Sequence, residues 1–420
     1  MNSRLQSIGR LLRPLRSSLF DLVNQRGGSK ADSTEAFDLQ KTLGYIEVDF
    51  SQLASDAELV EFERFRLRPF VLQFDQILRR EHATLGRPTL GWSRNARDPN
   101  LLAFCGSTAT QRLVQQVCSP REMRIVEIAG GGATAKDRWE SQCAARVGVF
   151  DLSSEDKMLR ASVCQEVGIS IALGQYPIVL ARKGSRLPFD VDTRSVILEQ
   201  SPSDLERIDV AIDEALLSVL PASGGSSFQT TLTRLCQQIR NPTPTERQLF
   251  HQLTSVSDSR VEALAITDLI MDARRHEGFA LLYPRWAGDY PSGDSATCFH
   301  VTPFAEEFQQ ARSAVQKACG DMKVQYRKGD QGPVADTLHS IWLLTCRADG
   351  VVADLTHLND NVCIEIGMAL ALGRPVLLTA RSGTEVLYPD IEKMQVRFYK
   401  TPPQLSNLVA DFLTSLELES

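Results

Sequence analysis

The 420-residue sequence lacks several features that would point to a simple functional class. Its nine cysteines form no CxxC pair and its six histidines form no ligand-spaced cluster, which argues against a structural metal and for a reducing compartment. No apolar run approaches the length needed to cross a bilayer. The formal net charge is −6, so no basic field attracts nucleic acid. We therefore expect a cytoplasmic protein without a metal, a transmembrane segment or direct nucleic-acid binding.

The N-terminal region, residues 1–98, gives no signal for a role of its own. Its first twenty residues carry four arginines and no acid, with leucine and isoleucine at helical spacing. This pattern is typical of a targeting segment, a membrane-surface helix or a plain amphipathic helix. Because Pro14 interrupts it, we expect a helix that docks on its own protein. Residues 45–50, YIEVDF, then suggest a strand, and residues 58–82 suggest a helix.

An internal repeat is the strongest organisational signal in the chain. Residues 145–184 parallel residues 348–383, and the tails at 201–220 and 401–416 also agree. Trp139 and Trp342 lie twelve residues before Asp151 and Asp354, and Cys143 and Cys346 lie eight residues before the same aspartates. Cys164 and Cys363 each lie two residues before Glu166 and Glu365. The repeat predicts two copies of one domain, at residues 99–220 and 296–420. A linker-like PASGGSS at 221–227 opens a helical segment that extends to residue 295.

Each copy alternates short apolar strands with helices. In the second copy the strands are predicted within ATCFHVTPF, MKVQYRKG, GVVADLT and PVLLTA, with helices between them. Such alternation is typical of an α/β fold with a parallel sheet and helices on both of its faces. The nearly continuous apolar strands fit central positions in that sheet.

Residues 354–378, DLTHLNDNVCIEIGMALALGRPVLL, place Asp354, Asp360 and Glu365 close together. Asp354 ends a predicted strand, at the edge where open parallel sheets bind ligands. Asn361 and Glu365 are four residues apart and share one face of the following helix. Apolar neighbours predict a partly desolvated Glu365, which suits a carboxylate that stabilises or attacks a cationic sugar transition state.

Folding alone explains the same acids equally well. An aspartate at a strand end commonly caps the next element, and a glutamate in a first helical turn suits the helix dipole. Spacing leaves both explanations open. Asp360 has no counterpart in the first copy, so we expect it to be a loop residue.

Three further segments of the second copy resemble a known superfamily. VTPFAEEF at 301–308, ADGVVADLTHLNDNVCIEIGMALALGRPVLL at 348–378 and YPDIEKMQVRFY at 388–399 resemble the superfamily of nucleoside 2-deoxyribosyltransferases and TIR-like domains. Its pattern is a Pro-Phe pair after the first strand, then an aspartate, a variable loop, Asn-Val and Glu-(Leu/Ile)-Gly. The resemblance covers about residues 296–417 and implies two flavodoxin-like domains.

The resemblance also implies roles for individual residues. Glu365 becomes the catalytic carboxylate of N-glycosidic cleavage or transfer, with Asp354 beside it. Asp354 and Asn361 become ribose contacts, and Phe304 and Thr302 line the base side of the pocket. No cofactor is implied, and NAD or a nucleoside is the expected small-molecule substrate. Self-association and a role in bacterial immunity are implied at the level of the family.

The first copy is more degenerate. It keeps Asp151 and Glu166 as a possible second site, but fifteen residues separate them instead of eleven, and Asn-Val is missing. Its glycine run at residues 130–132 also resembles a methyltransferase cofactor loop, with Asp151 as the acid that takes the ribose. A methyltransferase domain would leave the residues that the two copies share without an explanation, so this interpretation is the minor alternative.

Two functional hypotheses follow from the sequence. In the first, the protein breaks N-glycosidic bonds in NAD or a related nucleotide through Glu365. In the second, the two copies form a non-catalytic nucleotide-binding sensor or scaffold. A sensor would keep two matched pockets, whereas only the second copy has the intact pattern.

Overall fold

A computed structural model describes most of the chain. The described residues are 30–79, 97–128, 134–185, 195–218, 242–255, 280–288, 296–331, 336–384 and 395–416, with short stretches and single positions between these ranges and before residue 30. The predicted linker at 221–227, the glycine run at 130–132 and residues 388–394 of the closing motif lie outside them.

The N-terminal region is helical. Its elements are α1 (Lys30–Ser51), α2 (Asp56–Phe62) and α3 (Arg68–Arg79), with a π-helical stretch, Glu63–Leu67, joining the last two. The predicted strand at residues 45–50 is wrong, because these residues lie inside α1. Leu39, Leu43 and Ile46 are buried at spacings of four and three, so the apolar pattern has a helical period.

Apolar side chains from the first twenty residues contribute to the core formed by the N-terminal helices and the first domain. Ile8, Leu12, Leu15 and Leu19 are buried in one apolar cluster with residues of α1 and of the first domain. This packing confirms the predicted docking of an amphipathic segment on its own protein. Among the described residues, no helix combines the length and the apolar character that a membrane crossing requires.

The first domain alternates strands and helices as predicted. Its elements are β2 (Asp98–Cys105), α4 (Thr108–Cys118), β3 (Arg124–Glu127), α5 (Ala135–Ala144), β4 (Ala145–Asp151), α6 (Lys157–Ala172), β5 (Tyr176–Arg182), β6 (Ser195–Leu198) and α7 (Ser203–Leu217). Before it, β1 (Thr84–Gly86) pairs antiparallel with β7 (Ala280–Leu282), which follows α8 (Pro244–Ser255) in the segment between the domains.

The second domain repeats this plan. Its elements are β8 (Thr297–Val301), α9 (Gln309–Asp321), β9 (Gln325–Lys328), α10 (Thr337–Arg347), β10 (Gly350–Asp354), α11 (Asp360–Leu372), β11 (Val376–Arg381), β12 (Arg397–Tyr399) and α12 (Pro402–Ser415). Gly373, with φ 71°, ends α11 in the left-handed conformation that favours glycine.

The two sheets have the same topology. The strand orders are β3-β2-β4-β5-β6 and β9-β8-β10-β11-β12, and all neighbours are parallel. Numbered within each domain, this is the order 2-1-3-4-5 of flavodoxin-like folds, which confirms the predicted fold class. The central strands β4 and β10 are buried along their whole length, as their apolar sequences predicted. In this topology the ligand site lies where the first and third strands end.

The two domains pack against each other through α6 and α11. A Cβ atom on Gly168 would lie 2.0 Å from the carbonyl oxygen of Ile364, and one on Gly367 would lie 2.1 Å from that of Gln165. The contact is reciprocal, because each glycine contacts the residue that precedes the repeated glutamate, Glu166 or Glu365, in the other helix. One apolar cluster runs through both domains, so the two copies pair within a single chain.

Candidate active site around Glu365

Asp354 lies at the carboxyl end of β10 and is buried within a set of hydrogen bonds. Its Oδ1 accepts the Thr356 N–H at 2.9 Å and the Thr356 hydroxyl at 2.5 Å, and its Oδ2 accepts the Tyr399 hydroxyl at 2.8 Å. Burial, together with the charge of Asp354, raises the pKa of Tyr399 to about 12. The carboxylate therefore ties β10 and its loop to β12, and a contact with a sugar stays a prediction.

Asp151 has the equivalent role in the first domain. Its Oδ1 accepts the Ser153 N–H at 2.9 Å, and its Oδ2 accepts the Ser107 hydroxyl at 2.8 Å. Burial acts to raise the pKa of Asp151, but hydrogen bonds from Ser153, Thr110 and Ser107 together lower it. In both domains the repeated aspartate caps the turn after the third strand, so this anchor of the repeat has a structural cause.

Glu365 is in a different situation. Its side chain lies in α11 with 8% of the residue exposed, and no hydrogen-bond donor or cation contacts its carboxylate among the described residues. Burial raises the pKa of Glu365 to about 8. The flanking Ile364 and Ile366 are fully buried, which explains the poor hydration. At neutral pH the side chain is therefore mostly a neutral carboxylic acid.

The first-domain counterpart is paired. The Arg138 Nε lies 3.8 Å from Oε1 of Glu166, and both side chains are largely buried. Arg138 immediately precedes Trp139, and the matching residue before Trp342 is the apolar Ile341. The first domain thus supplies a cation for its buried glutamate, whereas the second domain has none at the equivalent position.

The longer spacing in the first domain is one helical turn. The helix N-cap residues Asp156 and Asn359 both lie five residues after the repeated aspartates. The four extra residues therefore fall inside α6, and four residues are close to one turn of 3.6. Glu166 consequently remains on the same helix face as Glu365, although it lies about one turn further from the loop.

Thr302 and Phe304 follow β8 at the edge where the sheet opens. Val301 pairs with Ala353, so Thr302 and Asp354 come directly after paired residues of neighbouring strands. The Thr302 hydroxyl is buried and has no hydrogen-bond partner among the described residues. Phe304 is 59% exposed, and its ring lies beside Gly329. The structure thus places a free hydroxyl beside the end of β10 and an exposed ring beside the end of β9.

Asn361 lies in the first turn of α11 and lines a cleft between the domains. Its N–H donates to the Asn359 side chain at 3.0 Å. Glu365 is not among the described residues that line this cleft. The predicted site residues therefore divide between the cleft and the edge where β8 and β10 end.

Asp360 corrects one sequence-based expectation. It is the first residue of α11 instead of a loop residue, and its Oδ2 accepts a hydrogen bond from Arg160 Nε of α6 at 2.8 Å. This ion pair crosses the interface between the domains. The sequence could not reveal it, because its partner lies 200 residues away in a copy that has no matching acid.

The histidines of the second domain have structural partners. The ring of His339 stacks on Trp286 with centroids 5.3 Å apart. His300, which sequence reasoning missed, is buried with Nδ1 3.1 Å from the Tyr326 hydroxyl. Burial lowers the pKa of His300 to about 3, so it is neutral at physiological pH. His357 lies exposed in the loop after Asp354, with Nε2 3.2 Å from Glu307.

The topology also bears on the methyltransferase alternative. The glycine run follows β3, which is the edge strand, and β2 separates β3 from the strand that ends in Asp151. A dinucleotide-binding loop and its ribose-binding acid belong to adjacent strands. The carboxylate of Asp151 is moreover used within its own turn. This geometry does not favour a cofactor loop in the first domain.

No cluster of three or more potential metal ligands occurs in the described part of the chain. The chain matches no model of a known protein family, and no curated protein matches it either.

Proposed function

We propose that the second domain cleaves or transfers the N-glycosidic bond of NAD or a related nucleoside, with Glu365 as the catalytic carboxylate. One observation carries the proposal. Glu365 is a buried carboxylate in apolar surroundings with no cation beside it in the described structure, although Glu166 is paired with Arg138. A protein that needed this residue only for folding gains nothing from burying an ionisable carboxyl group without a partner.

The chemistry follows from that environment. A cationic substrate, or the positive charge that develops on the sugar, lowers the cost of ionising Glu365 at the moment of reaction. The bond between the anomeric carbon and the base nitrogen breaks, and its electron pair leaves with the base. The carboxylate stabilises or captures the sugar cation, and water or a second base then bonds to the anomeric carbon. With NAD, nicotinamide leaves as a neutral base, and hydrolysis by water releases one proton to solvent. With a neutral nucleoside, the departing base takes up that proton.

Residues at the end of β8 and at the start of α11 have groups that suit substrate binding. The free hydroxyl of Thr302 offers a hydrogen bond to a polar group, and the exposed ring of Phe304 offers a surface for a planar base. Asn361 is one turn ahead of Glu365 on the same helix face and fits a ribose hydroxyl. Self-association and a role in bacterial immune signalling are part of this proposal by resemblance alone.

The decisive experiment measures base release. Wild-type protein is incubated with NAD and with deoxynucleosides, in dilute and in concentrated solution, and released base is followed by chromatography. We expect release from the wild type, none from Glu365→Gln, and release retained by the matched variant Glu166→Gln. If the wild type releases no base under any condition, or if Glu365→Gln is fully active, the assignment to Glu365 fails.

A non-catalytic sensor is the second candidate. It is favoured by the equivalent use of Asp151 and Asp354 within their own turns, which leaves neither aspartate dedicated to catalysis. Under this alternative the protein binds a nucleotide without releasing its base. Equilibrium binding of NAD with no product after long incubation would select it.

A further inference from the structure

The proposed chemistry makes no use of most of the cleft between the domains, which has a volume of about 720 Å³. Its walls come from the loops after β4 and β5 of the first domain and the loop after β10 of the second. All three loops follow carboxyl ends of parallel strands, the edge at which open α/β sheets bind ligands. The loops after β4 and β10 are equivalent in the two domains, since each follows the third strand.

Cations outnumber acids on the described walls. The four cations are Lys157, Arg160, Arg182 and Lys183, and the two acids are Glu155 and Asp360. Arg160 is held by Asp360 and by the carbonyl oxygen of Leu152. The other three remain available to a ligand: Arg182 and Lys183 make only loose, exposed ion pairs at 3.4 and 3.5 Å, and Lys157 has no carboxylate partner in the described structure.

The two helices of the domain interface both begin at this cleft. Lys157 is the first residue of α6 and Asp360 the first residue of α11, so the positive ends of both helix dipoles face the same region. Beside them, Asn361 adds a side-chain amide, and Leu187 and Leu358 add apolar surface. Leu358 has a φ of 47°, a costly backbone conformation for leucine that fixes the shape of this wall.

We propose that this cleft is a nucleotide-binding site, separate from the carboxylate of Glu365. The phosphate groups contact Lys157, Arg182 and Lys183, while the apolar wall of Leu187 and Leu358 contacts the nucleoside. The volume lies within the range of pockets that hold small organic ligands. The walls combine an excess of positive charge with apolar surface, which matches a ligand that carries both phosphate groups and a less polar nucleoside.

Binding at this cleft also acts on the proposed active site. Asn361 lies on the cleft wall and Glu365 follows one turn later in the same helix, so a ligand that moves the start of α11 moves both. This regulatory step rests on the proposed function of Glu365, whereas the proposal that the cleft binds a nucleotide does not rest on it.

Isothermal titration of the full-length protein tests the proposal, with ADP, adenosine and inorganic phosphate as ligands. The titrations use Glu365→Gln as well as wild type, so that binding is read with and without any base release. We expect ADP to bind both proteins, and adenosine and inorganic phosphate each to bind at least about tenfold more weakly, because each lacks half of the recognised chemistry.

The charge variant Lys157→Ala/Lys183→Ala should weaken ADP binding at least about tenfold. The matched control Lys136→Ala/Lys317→Ala, which removes one exposed lysine outside the cleft from each domain, should bind as the wild type does. Thermal melts check that both variants are folded. The proposal is overturned by no ADP binding, by equal binding of adenosine or of inorganic phosphate, or by unchanged affinity in Lys157→Ala/Lys183→Ala. If the wild type releases base but Glu365→Gln does not bind ADP, the cleft site is refuted and the glycosidase proposal stands.

Discussion

Gly168 of the first domain and Gly367 of the second lie in direct contact where α6 crosses α11. A Cβ atom on Gly168 would come within 3.1 Å of the Cα of Gly367 and within 2.0 Å of a backbone carbonyl oxygen. Because the opposing atoms belong to a helix backbone, they cannot rotate away as a side chain can. The two domains are therefore held at a separation that only glycine permits at these positions.

Replacing either glycine should destabilise the protein. We expect Gly168→Ala and Gly367→Ala each to lower the free energy of unfolding by about 1–3 kcal/mol or more, since the helices must separate. The matched control is Gly44→Ala, in the exposed face of α1 with no atom within 4 Å of an added Cβ, which should stabilise by about 0.5–1 kcal/mol. Urea unfolding measures all three. Equal effects of Gly168→Ala and Gly44→Ala would contradict the close crossing.

The raised pKa of Glu365 predicts a stability that falls as pH rises. In the unfolded chain this carboxyl ionises near pH 4.5, but in the folded protein it holds its proton until about pH 8. The folded state thus binds one more proton between these values, so its contribution to stability is complete below pH 4.5 and is lost through pH 8. Relative to Glu365→Gln, the wild type should lose about 1.4 kcal/mol per pH unit in this window. Chemical unfolding of both proteins from pH 5 to pH 8 measures the slope, and parallel curves would disprove the burial of an uncompensated carboxyl.

The pair formed by Arg138 and Glu166 predicts that removal of either partner destabilises the first domain. Glu166→Gln leaves a largely buried guanidinium without its carboxylate and should cost about 1–3 kcal/mol at pH 7. Arg138→Met should cost a similar amount, and the double variant should cost less than the sum of the two. A double-mutant cycle by urea unfolding gives the coupling energy. Strict additivity would mean that the 3.8 Å contact contributes nothing.

The hydrogen bonds of Asp354 predict a structural cost on its removal. Asp354→Ala leaves the Tyr399 hydroxyl and the Thr356 donors without their acceptor and should cost more than about 2 kcal/mol. Tyr399→Phe leaves the Thr356 donors with their acceptor and should cost less, about 1 kcal/mol. Thermal unfolding separates the two effects. If Asp354→Ala keeps full stability but abolishes base release, Asp354 acts on the substrate instead of on the fold.

The sequence was sufficient for the architecture because the architecture depends on local patterns. Apolar strands separated by helices, repeated in two copies, predict a parallel α/β fold, and the structure has that fold in both domains. The segment at residues 45–50 failed because six residues that alternate like a strand also fit a longer helical stripe.

The site was less predictable because it depends on contacts between distant segments. The spacing of Asp354 and Glu365 identified both residues as site candidates. It could not show which of the two carboxyl groups has hydrogen-bond partners in the folded protein. That difference comes from Tyr399, 45 residues away, and from the replacement of Arg138 by Ile341 between the copies. Similarly, the ion pair of Arg160 with Asp360 and the cleft beside it exist only because the two domains pack on each other.

The reciprocal crossing of α6 and α11 has the form of an isologous dimer interface built into one polypeptide. In a dimer of identical subunits, dilution separates the partners and every substitution appears twice. Here dilution cannot separate the two domains, and the sequence of each domain can change independently. Arg138 in the first domain and Ile341 at the matching position of the second illustrate such a change. Any response of this protein to its own concentration must therefore use a face other than this one.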